Sequence, residues 1–350
     1  MLSRRHLMAA LLLVGTSATG RSQSSKDARD GWQLSSPSDQ GLDKAMLDEL
    51  ARELASERKS VRSVVVVRHG RLAFEYYREG LGPSSLHDMR TATMSVMSTL
   101  VGVAIHNGLI KNVDQPISEF LPEATGEGVD SRVRAMTLEH LLTLTAGFDP
   151  DVKQIGRWAF PVEFALRRPL VSDSGAKFSF DVGTAHLVAR VLVSATQQNV
   201  LQFAQKQLFG PLGIRRYLWQ IDRPGGGELG YGGLQLTARD MAKLGQLQLQ
   251  RGAWNGVALM SPAYVEAATR KQSSGGPPVH WAYGYSWWIA PSARSPAPFM
   301  AGADDGQRIY VNPSMSLVVV VTSEAVRSRS RVQADADLVI NDIVLRAAKR

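Results

Sequence analysis

Two four-residue stretches have a serine followed three residues later by a lysine. This spacing can place a nucleophilic hydroxyl and a proton-accepting amine on one helix face. Ser56 and Lys59 end a polar helical stretch, whereas Ser174 and Lys177 lie in a turn before Phe178. Neither serine begins an apolar helix, so we interpret both matches as chance. The Gly-x-Ser-x-Gly elbow found in many hydrolases does not occur in the sequence.

The sequence also limits metal and thiol chemistry. It has no cysteine, which excludes disulfides, a catalytic thiol, thiolate metal ligands and a lipid-bearing cysteine. The seven histidines show no paired His-x-x-x-His spacing. We therefore expect no metal site and no cofactor.

The composition is that of a folded protein. With 350 residues, 44% of them hydrophobic and 21% charged, the chain can bury a substantial core. The formal net charge of +8 invites a nucleic-acid interpretation. Because lysine and arginine are scattered rather than clustered, we expect no nucleic-acid partner. The oligomeric state is left open.

The N-terminus has the order of features found in an export signal. Arg4 and Arg5 precede a short apolar stretch, and small residues follow as far as Gly20. Adjacent arginines after a serine also suit the twin-arginine route, so either export route is open. We predict a signal peptide at 1–20, a flexible lead-in at 21–40 and an exported protein, periplasmic or secreted, without a membrane span. The apolar stretch itself is shorter than the roughly 20 residues needed to cross a bilayer.

The remaining sequence, predicted to be one domain over 41–350, contains both strand and helix patterns. Two β-rich runs, 64–67 and 72–77, flank a tight link containing Gly70 and predict a hairpin. Helical spacing is found at 42–54, 91–107, 137–146, 184–196, 200–209, 237–251, 261–270 and 333–348. Late strands are predicted at 283–289, 307–311 and 317–322.

Strands at both ends with helices between them predict an α+β fold, an α/β sandwich. We expect one antiparallel sheet built from both chain ends and flanked by helices, with a mainly helical region inserted.

An ordered series of short motifs extends over about residues 40 to 345. The motifs are the hairpin at 64–77 and the segments 89–95, 100–105, 113–117, 121–123, 137–142, 210–214, 237–243 and 302–307. In this order they resemble the β-lactamase-type serine hydrolases, which include class C β-lactamases, penicillin-binding proteins, esterases and nylon-oligomer hydrolases. The resemblance implies a β-lactamase/transpeptidase-like fold.

The resemblance implies three catalytic positions, and each is altered in this chain. Related enzymes use a serine at the start of a helix, a lysine three residues later and a tyrosine that passes the proton onward. Counting back from Gly102 places Thr91 at the nucleophile position and Met94 at the base position. The tyrosine position falls on Phe180. Only Thr91 keeps a reactive oxygen.

The resemblance places the oxyanion and substrate pocket at the end of a late strand, at Gly302, Ala303 and Asp304. A backbone N–H there and the nucleophile's own N–H bind the oxyanion in related enzymes. Small residues are frequent at this turn in the family, whereas this chain has Asp304 and Asp305. If they face the pocket, we expect these carboxylates to oppose a developing negative charge.

Two alternatives stay open on the residues alone. Thr91 could be activated by another base, for which His87, His140 and His186 are candidates, although a packing role is the simpler interpretation of each. Among the aromatics, Trp219, Tyr285, Trp287 and Trp288 could line an acyl pocket. The simpler interpretation is a strand in which Trp287 and Trp288 alternate, one buried and one exposed.

These observations favour an exported homologue that is catalytically inactive or strongly impaired and binds a small acyl or cell-wall-type ligand. The alternative is an active hydrolase of esters, amides or β-lactams that uses Thr91 with an unidentified base.

Overall fold

The computed structural model describes residues 30–150, 162–221, 227–302, 305–324 and 329–348. The predicted signal peptide at 1–20, the first part of the lead-in at 21–29, Ala303 and Asp304 lie outside the described residues. Within the described ranges, no helix combines the length and apolar character needed to cross a membrane.

The described residues form twelve strands and nine main helices. The strands are β1 Val61–Arg68, β2 Arg71–Tyr77, β3 Leu86–Asp88, β4 Tyr217–Trp219, β5 Leu234–Thr237, β6 Ala253–Trp254, β7 Val257–Ala258, β8 Ala282–Tyr283, β9 Trp288–Ile289, β10 Phe299–Gly302, β11 Arg308–Asn312 and β12 Leu317–Ser323. The helices are α1 Lys44–Ser56, α2 Thr93–His106, α3 Leu138–Leu142, α4 Val162–Leu166, α5 Val182–Thr196, α6 Val200–Ala204, α7 Ala238–Leu249, α8 Pro262–Ala268 and α9 Arg329–Leu338. Helix α6 continues through a π-helical turn to Leu212, and α9 continues in the same way to Ala347.

The main sheet joins the two ends of the chain. Its seven strands follow the order β2-β1-β12-β11-β10-β9-β8, and every neighbouring pair is antiparallel. Within this sheet, the early strand β1 pairs with the late strand β12, from Val61 opposite Ser323 to Arg68 opposite Leu317. The mainly helical segment lies between these strands in sequence, which confirms the predicted α+β architecture.

The valine-rich strands are buried on both faces. In β1, Val64 and Val66 contact an apolar cluster that contains residues of α1 and of the α9 continuation. Val65 and Val67 point the other way, into a cluster shared with α2, α5 and α7. Because successive side chains alternate across a sheet, a strand covered on both faces must be apolar at every position.

The predicted strand at 283–289 is wrong in detail. Strands β8 and β9 are two short antiparallel strands joined by a tight turn, in which Gly284 N–H donates to the Trp287 carbonyl. Ser286 adopts a positive φ of 59°, and a Cβ on Gly284 would lie 2.2 Å from the carbonyl oxygen of Ala268. Trp287 and Trp288 lie in different apolar clusters, one on each face of the sheet, so both are buried rather than one buried and one exposed.

Helix α7 packs unusually close to the sheet at Gly245. A Cβ at this position would lie 2.7 Å from Cγ1 of Val318 and 2.9 Å from Cγ2 of Ile309. Both neighbours are buried β-branched residues of central strands, so neither can move away easily.

Gly245→Ala should therefore lower the free energy of unfolding by about 1–2 kcal/mol, because overpacking outweighs the better helix propensity of alanine. Urea denaturation measures this change. Gly82→Ala is the control, since its Cβ would meet nothing within 4 Å. A Gly245→Ala protein as stable as the parent would contradict this tight contact.

Candidate functional site

Thr91 lies in a short 3-10 helix, Arg90–Ala92, directly before α2. This turn is held at its start, where Asp88 Oδ1 accepts a hydrogen bond of 2.9 Å from Arg90 N–H. Met89 N–H donates to the Leu234 carbonyl of β5, which ties the turn to the small sheet β3-β5-β4. Arg90 adopts a positive φ of 48°, so the backbone reverses sharply immediately before Thr91.

The Thr91 hydroxyl donates a hydrogen bond of 2.9 Å to Oδ2 of Asp305. The other carboxylate oxygen of Asp305 accepts from Gln307 N–H at 3.0 Å, and the residue is only 6% exposed. The Arg90 guanidinium donates to the Asp305 backbone carbonyl at 3.0 Å. These bonds connect the turn after β10 to the start of α2. They also place the Asp305 carboxylate beside the Thr91 hydroxyl, which is the only reactive oxygen at the three catalytic positions of the family.

Met94 lies in the first turn of α2 and is buried, with 3% exposure. It belongs to the same apolar cluster as Phe178, Tyr283 and Trp288. A thioether is a weak hydrogen-bond acceptor and does not take up a proton at physiological pH. The position that holds the base in related enzymes is therefore an apolar contact here.

Phe180 is half-buried and stacks on Trp288, with ring centroids 6.0 Å apart and an interplanar angle of 23°. The Trp288 indole N–H donates to the Gly302 carbonyl at 2.7 Å. The stack thus connects the tyrosine position of the family to the end of β10, where the oxyanion pocket was predicted. Phe180 supplies apolar surface there but no hydroxyl.

A buried ion pair sets the position of Phe180. The next residue, Asp181, is the N-cap of α5, and its carboxylate accepts from Gly183 N–H and Thr184 N–H. It also accepts a hydrogen bond of 2.8 Å from Arg168, and both side chains are almost fully buried. Because Asp181 forms both the capping bonds and the buried ion pair, the backbone at the start of α5 has a defined position.

None of the three histidine candidates forms a hydrogen bond with Thr91. His186 accepts from Gly230 N–H at 3.3 Å, and His140 Nδ1 accepts from Thr137 N–H in a capping box at the start of α3. Burial lowers the pKa of His140, so its neutral form is favoured. His87 is 2% exposed, and neither of its ring nitrogens has a hydrogen-bond partner in the described structure.

The structure thus brings Thr91, Met94, Phe180 and Gly302 into one region, and it adds Asp305. Ala303 and Asp304 lie outside the described residues. The sequence did not predict the Thr91–Asp305 bond, because the carboxylates of this turn were expected only to destabilise the negative charge of an oxyanion. The usable signal was an acidic residue in a turn where related proteins often have small residues.

The other predicted aromatics are packing residues in this structure. Trp219 donates its indole N–H to the Leu229 carbonyl, and the Tyr285 hydroxyl donates to Glu139 Oε1 at 2.9 Å. Both are buried, at 8% and 4% exposure. Within the described ranges, no group of three or more acidic or histidine side chains could hold a metal ion.

Comparison with known proteins gives consistent matches. The Beta-lactamase family model matches residues 47–341. A 6-aminohexanoate-dimer hydrolase from Paenarthrobacter ureafaciens is 23% identical over 308 residues, which covers 79% of this chain and 77% of that protein.

Solved structures show the same fold. A Bacillus anthracis protein provisionally assigned as a 6-aminohexanoate-dimer hydrolase superposes with a TM-score of 0.71 at 19% identity, covering 87% of this chain and 82% of its own. The octameric penicillin-binding protein homologue from Pyrococcus abyssi gives a TM-score of 0.66 at 18% identity, covering 85% and 77%. These likenesses confirm the predicted β-lactamase/transpeptidase-like fold.

The buried His87 makes stability depend on pH in a defined window. Burial, and secondly the nearby Arg62 cation, lower the pKa of His87 from 6.5 to about 4. Between these values the unfolded chain binds a proton that the folded chain does not, so stability falls as pH decreases from 6.5 towards 4.

Between pH 7 and pH 4, the free energy of unfolding of His87→Leu should fall by about 3 kcal/mol less than that of the parent, since a pKa that moves from 6.5 to about 4 corresponds to about 1.4 kcal/mol per unit. Urea denaturation at a series of pH values tests this. The control is His106→Leu at an exposed histidine, whose profile should follow the parent. Parallel profiles for His87→Leu and the parent would contradict the assignment.

Proposed function

The chain belongs to the Beta-lactamase family, and we propose that it is a catalytically inactive or strongly impaired member that binds a small acyl or cell-wall-type ligand. The observation that carries this proposal is the burial of Met94 within an apolar cluster at the family's base position.

Acyl transfer by this family's route needs a group that takes the nucleophile's proton and another that delivers it to the leaving group. Met94 and Phe180 can do neither. General acid–base catalysis contributes about 10²–10⁴-fold to such reactions, so the loss of both groups removes most of the rate.

The replacements nevertheless keep the shape of the site. Methionine approximates lysine in length and volume, and phenylalanine is tyrosine without its oxygen. Volume-conserving exchanges of this kind cost little stability, and the loss of buried polar groups can even stabilise a fold. A site with intact walls and altered chemistry supports ligand binding better than turnover.

The ligand class is inferred from what the similar proteins are called. One is a 6-aminohexanoate-dimer hydrolase and another a penicillin-binding protein homologue. The first name refers to an amide-linked dimer of an amino acid and the second to a β-lactam. We therefore expect a compact acyl or amide compound, such as a cell-wall fragment, as the ligand.

We also propose export of the protein and a single mature domain over 41–350. The basic start at Arg4 and Arg5, the short apolar stretch and the small residues up to Gly20 support removal of a signal peptide. An exported protein of this fold would meet cell-wall material directly.

One observation favours a second candidate, an active hydrolase of esters, amides or β-lactams. The Thr91 hydroxyl already donates to Asp305 Oδ2. In this mechanism Oγ1 of Thr91 attacks the acyl carbon while its proton passes to Asp305, and the carbonyl π electrons move to the oxygen. Collapse of the oxyanion breaks the bond to the leaving group, which takes the proton from Asp305. Water then hydrolyses the acyl-threonine with the same carboxylate as base.

Covalent labelling distinguishes the two candidates. The purified mature protein is treated with a fluorophosphonate probe or a nitrophenyl ester and examined by mass spectrometry. We expect no stoichiometric adduct at Thr91, because the hydroxyl lacks the family's amine base.

Stoichiometric labelling that Thr91→Val abolishes would overturn the proposal of inactivity. If Asp305→Asn abolishes it as well, the second candidate is supported, because the amide cannot accept the proton.

A restoration experiment tests whether the loss is local. The triple variant Thr91→Ser, Met94→Lys, Phe180→Tyr should hydrolyse a nitrophenyl ester at least about 100-fold faster than the parent, in line with the usual contribution of acid–base groups. The matched control replaces Met94→Lys by Met94→Leu and should stay at the parental rate.

If the triple variant folds but shows no gain, the same variant with Asp305→Gly tests whether this carboxylate blocks the restored site. Failure of both folded variants would count against the assignment of Thr91, Met94 and Phe180 as the catalytic positions.

A further inference from the structure

A cavity of about 900 Å³ lies at the edge of the main sheet, away from Thr91. It is bordered by the β9–β10 connection and by the C-terminal ends of α7 and α8. Phe299, at the start of β10, lines it, whereas the carbonyl of Gly302, at the end of the same strand, accepts from Trp288, which stacks on Phe180. At about 3.3 Å per residue, the two ends of β10 are roughly 10 Å apart. None of the candidate catalytic residues lines the cavity.

The mouth of the cavity is strongly cationic. Arg251, Arg270, Lys271 and Arg294 all line it and are exposed, against one carboxylate, Glu266. None of the four cations forms an ion pair with a residue of the described structure. Four cations around one concave surface create a positive potential that attracts anions.

The floor of the cavity is apolar. Val265, Ile289 and Phe299 line it, and each is at most 5% exposed. Trp281 adds a half-buried aromatic ring to the wall. Small-molecule sites usually have a volume of about 300–1,000 Å³, mostly apolar walls and a few polar groups that orient the ligand.

We propose that this cavity is a second ligand site, for a small organic anion with an apolar body. The apolar part would lie against Val265, Ile289 and Phe299. The anionic head, a carboxylate or a phosphate, would be bound at the mouth by Arg270, Arg294 and the neighbouring cations, since guanidinium groups bind both heads in a bidentate manner. Binding here requires no chemistry at Thr91.

Calorimetric titration of the mature protein with decanoate and decyl phosphate tests the proposal. Both should bind with one-to-one stoichiometry, and their relative affinity identifies the preferred head. Decyltrimethylammonium, with the same chain and the opposite charge, should bind at least about tenfold more weakly. Hexanoate should also bind at least about tenfold more weakly than decanoate, because it buries fewer methylene groups.

Variants assign the binding to this cavity. Arg270→Gln with Arg294→Gln should weaken decanoate binding at least about tenfold. Arg215→Gln with Arg216→Gln, at two exposed arginines that do not line the cavity, removes the same charge and should change the affinity less than about twofold. Thr91→Val should leave the affinity unchanged, which separates this site from the proposed acyl site.

The proposal would be overturned if neither decanoate nor decyl phosphate binds, or if decyltrimethylammonium binds as tightly as decanoate. It would also be overturned if the two double variants lose the same affinity for decanoate. None of these results would bear on whether Thr91 is labelled, so the two proposals can fail independently.

Discussion

The burial of α2 is the constraint on which the rest of the structure depends. Every side chain from Thr93 to Ala104 is buried, and a Cβ on Gly102 would lie 2.5 Å from the Tyr264 ring. A helix enclosed in this way cannot shift when a residue at its start changes, so positions 91 and 94 stay in place whatever occupies them. An amine at position 94 would carry a desolvation penalty of several kcal/mol unless it were paired, and methionine avoids this penalty. The same packing that could orient a catalytic base therefore also accommodates an apolar substitute.

Asp305 illustrates how one bond can have a structural and a chemical interpretation. Its two carboxylate oxygens accept from the Thr91 hydroxyl and from Gln307 N–H, and its carbonyl accepts from Arg90. Its structural role is to join the turn after β10 to the start of α2. Its possible chemical role follows from a carboxylate that lies within hydrogen-bond distance of a hydroxyl. The geometry is the same in both cases, so the distinction depends on whether the proton is transferred.

The fold could be predicted largely from the sequence, whereas the site could be predicted only in part. The continuous valine runs of β1 and β12 indicate strands covered on both faces, and the motif order places Thr91 and Met94 on one helix. Local patterns could not reveal the turn at Gly284 and Ser286, because it depends on a close approach to the Ala268 carbonyl. They could not reveal the Thr91–Asp305 bond either, since the two residues are 214 positions apart and meet only through the completed sheet.

The pairing of β1 with β12 has a consequence for biosynthesis. Val61 cannot reach its partner Ser323 until nearly the whole chain has left the ribosome. Until then the valine-rich edge of β1 is unpaired, and unpaired edges of this kind associate with other chains. Contacts so distant in sequence also form slowly, because a long loop must close before they stabilise anything. The edge of β1 therefore stays unpaired until β12 has been synthesised.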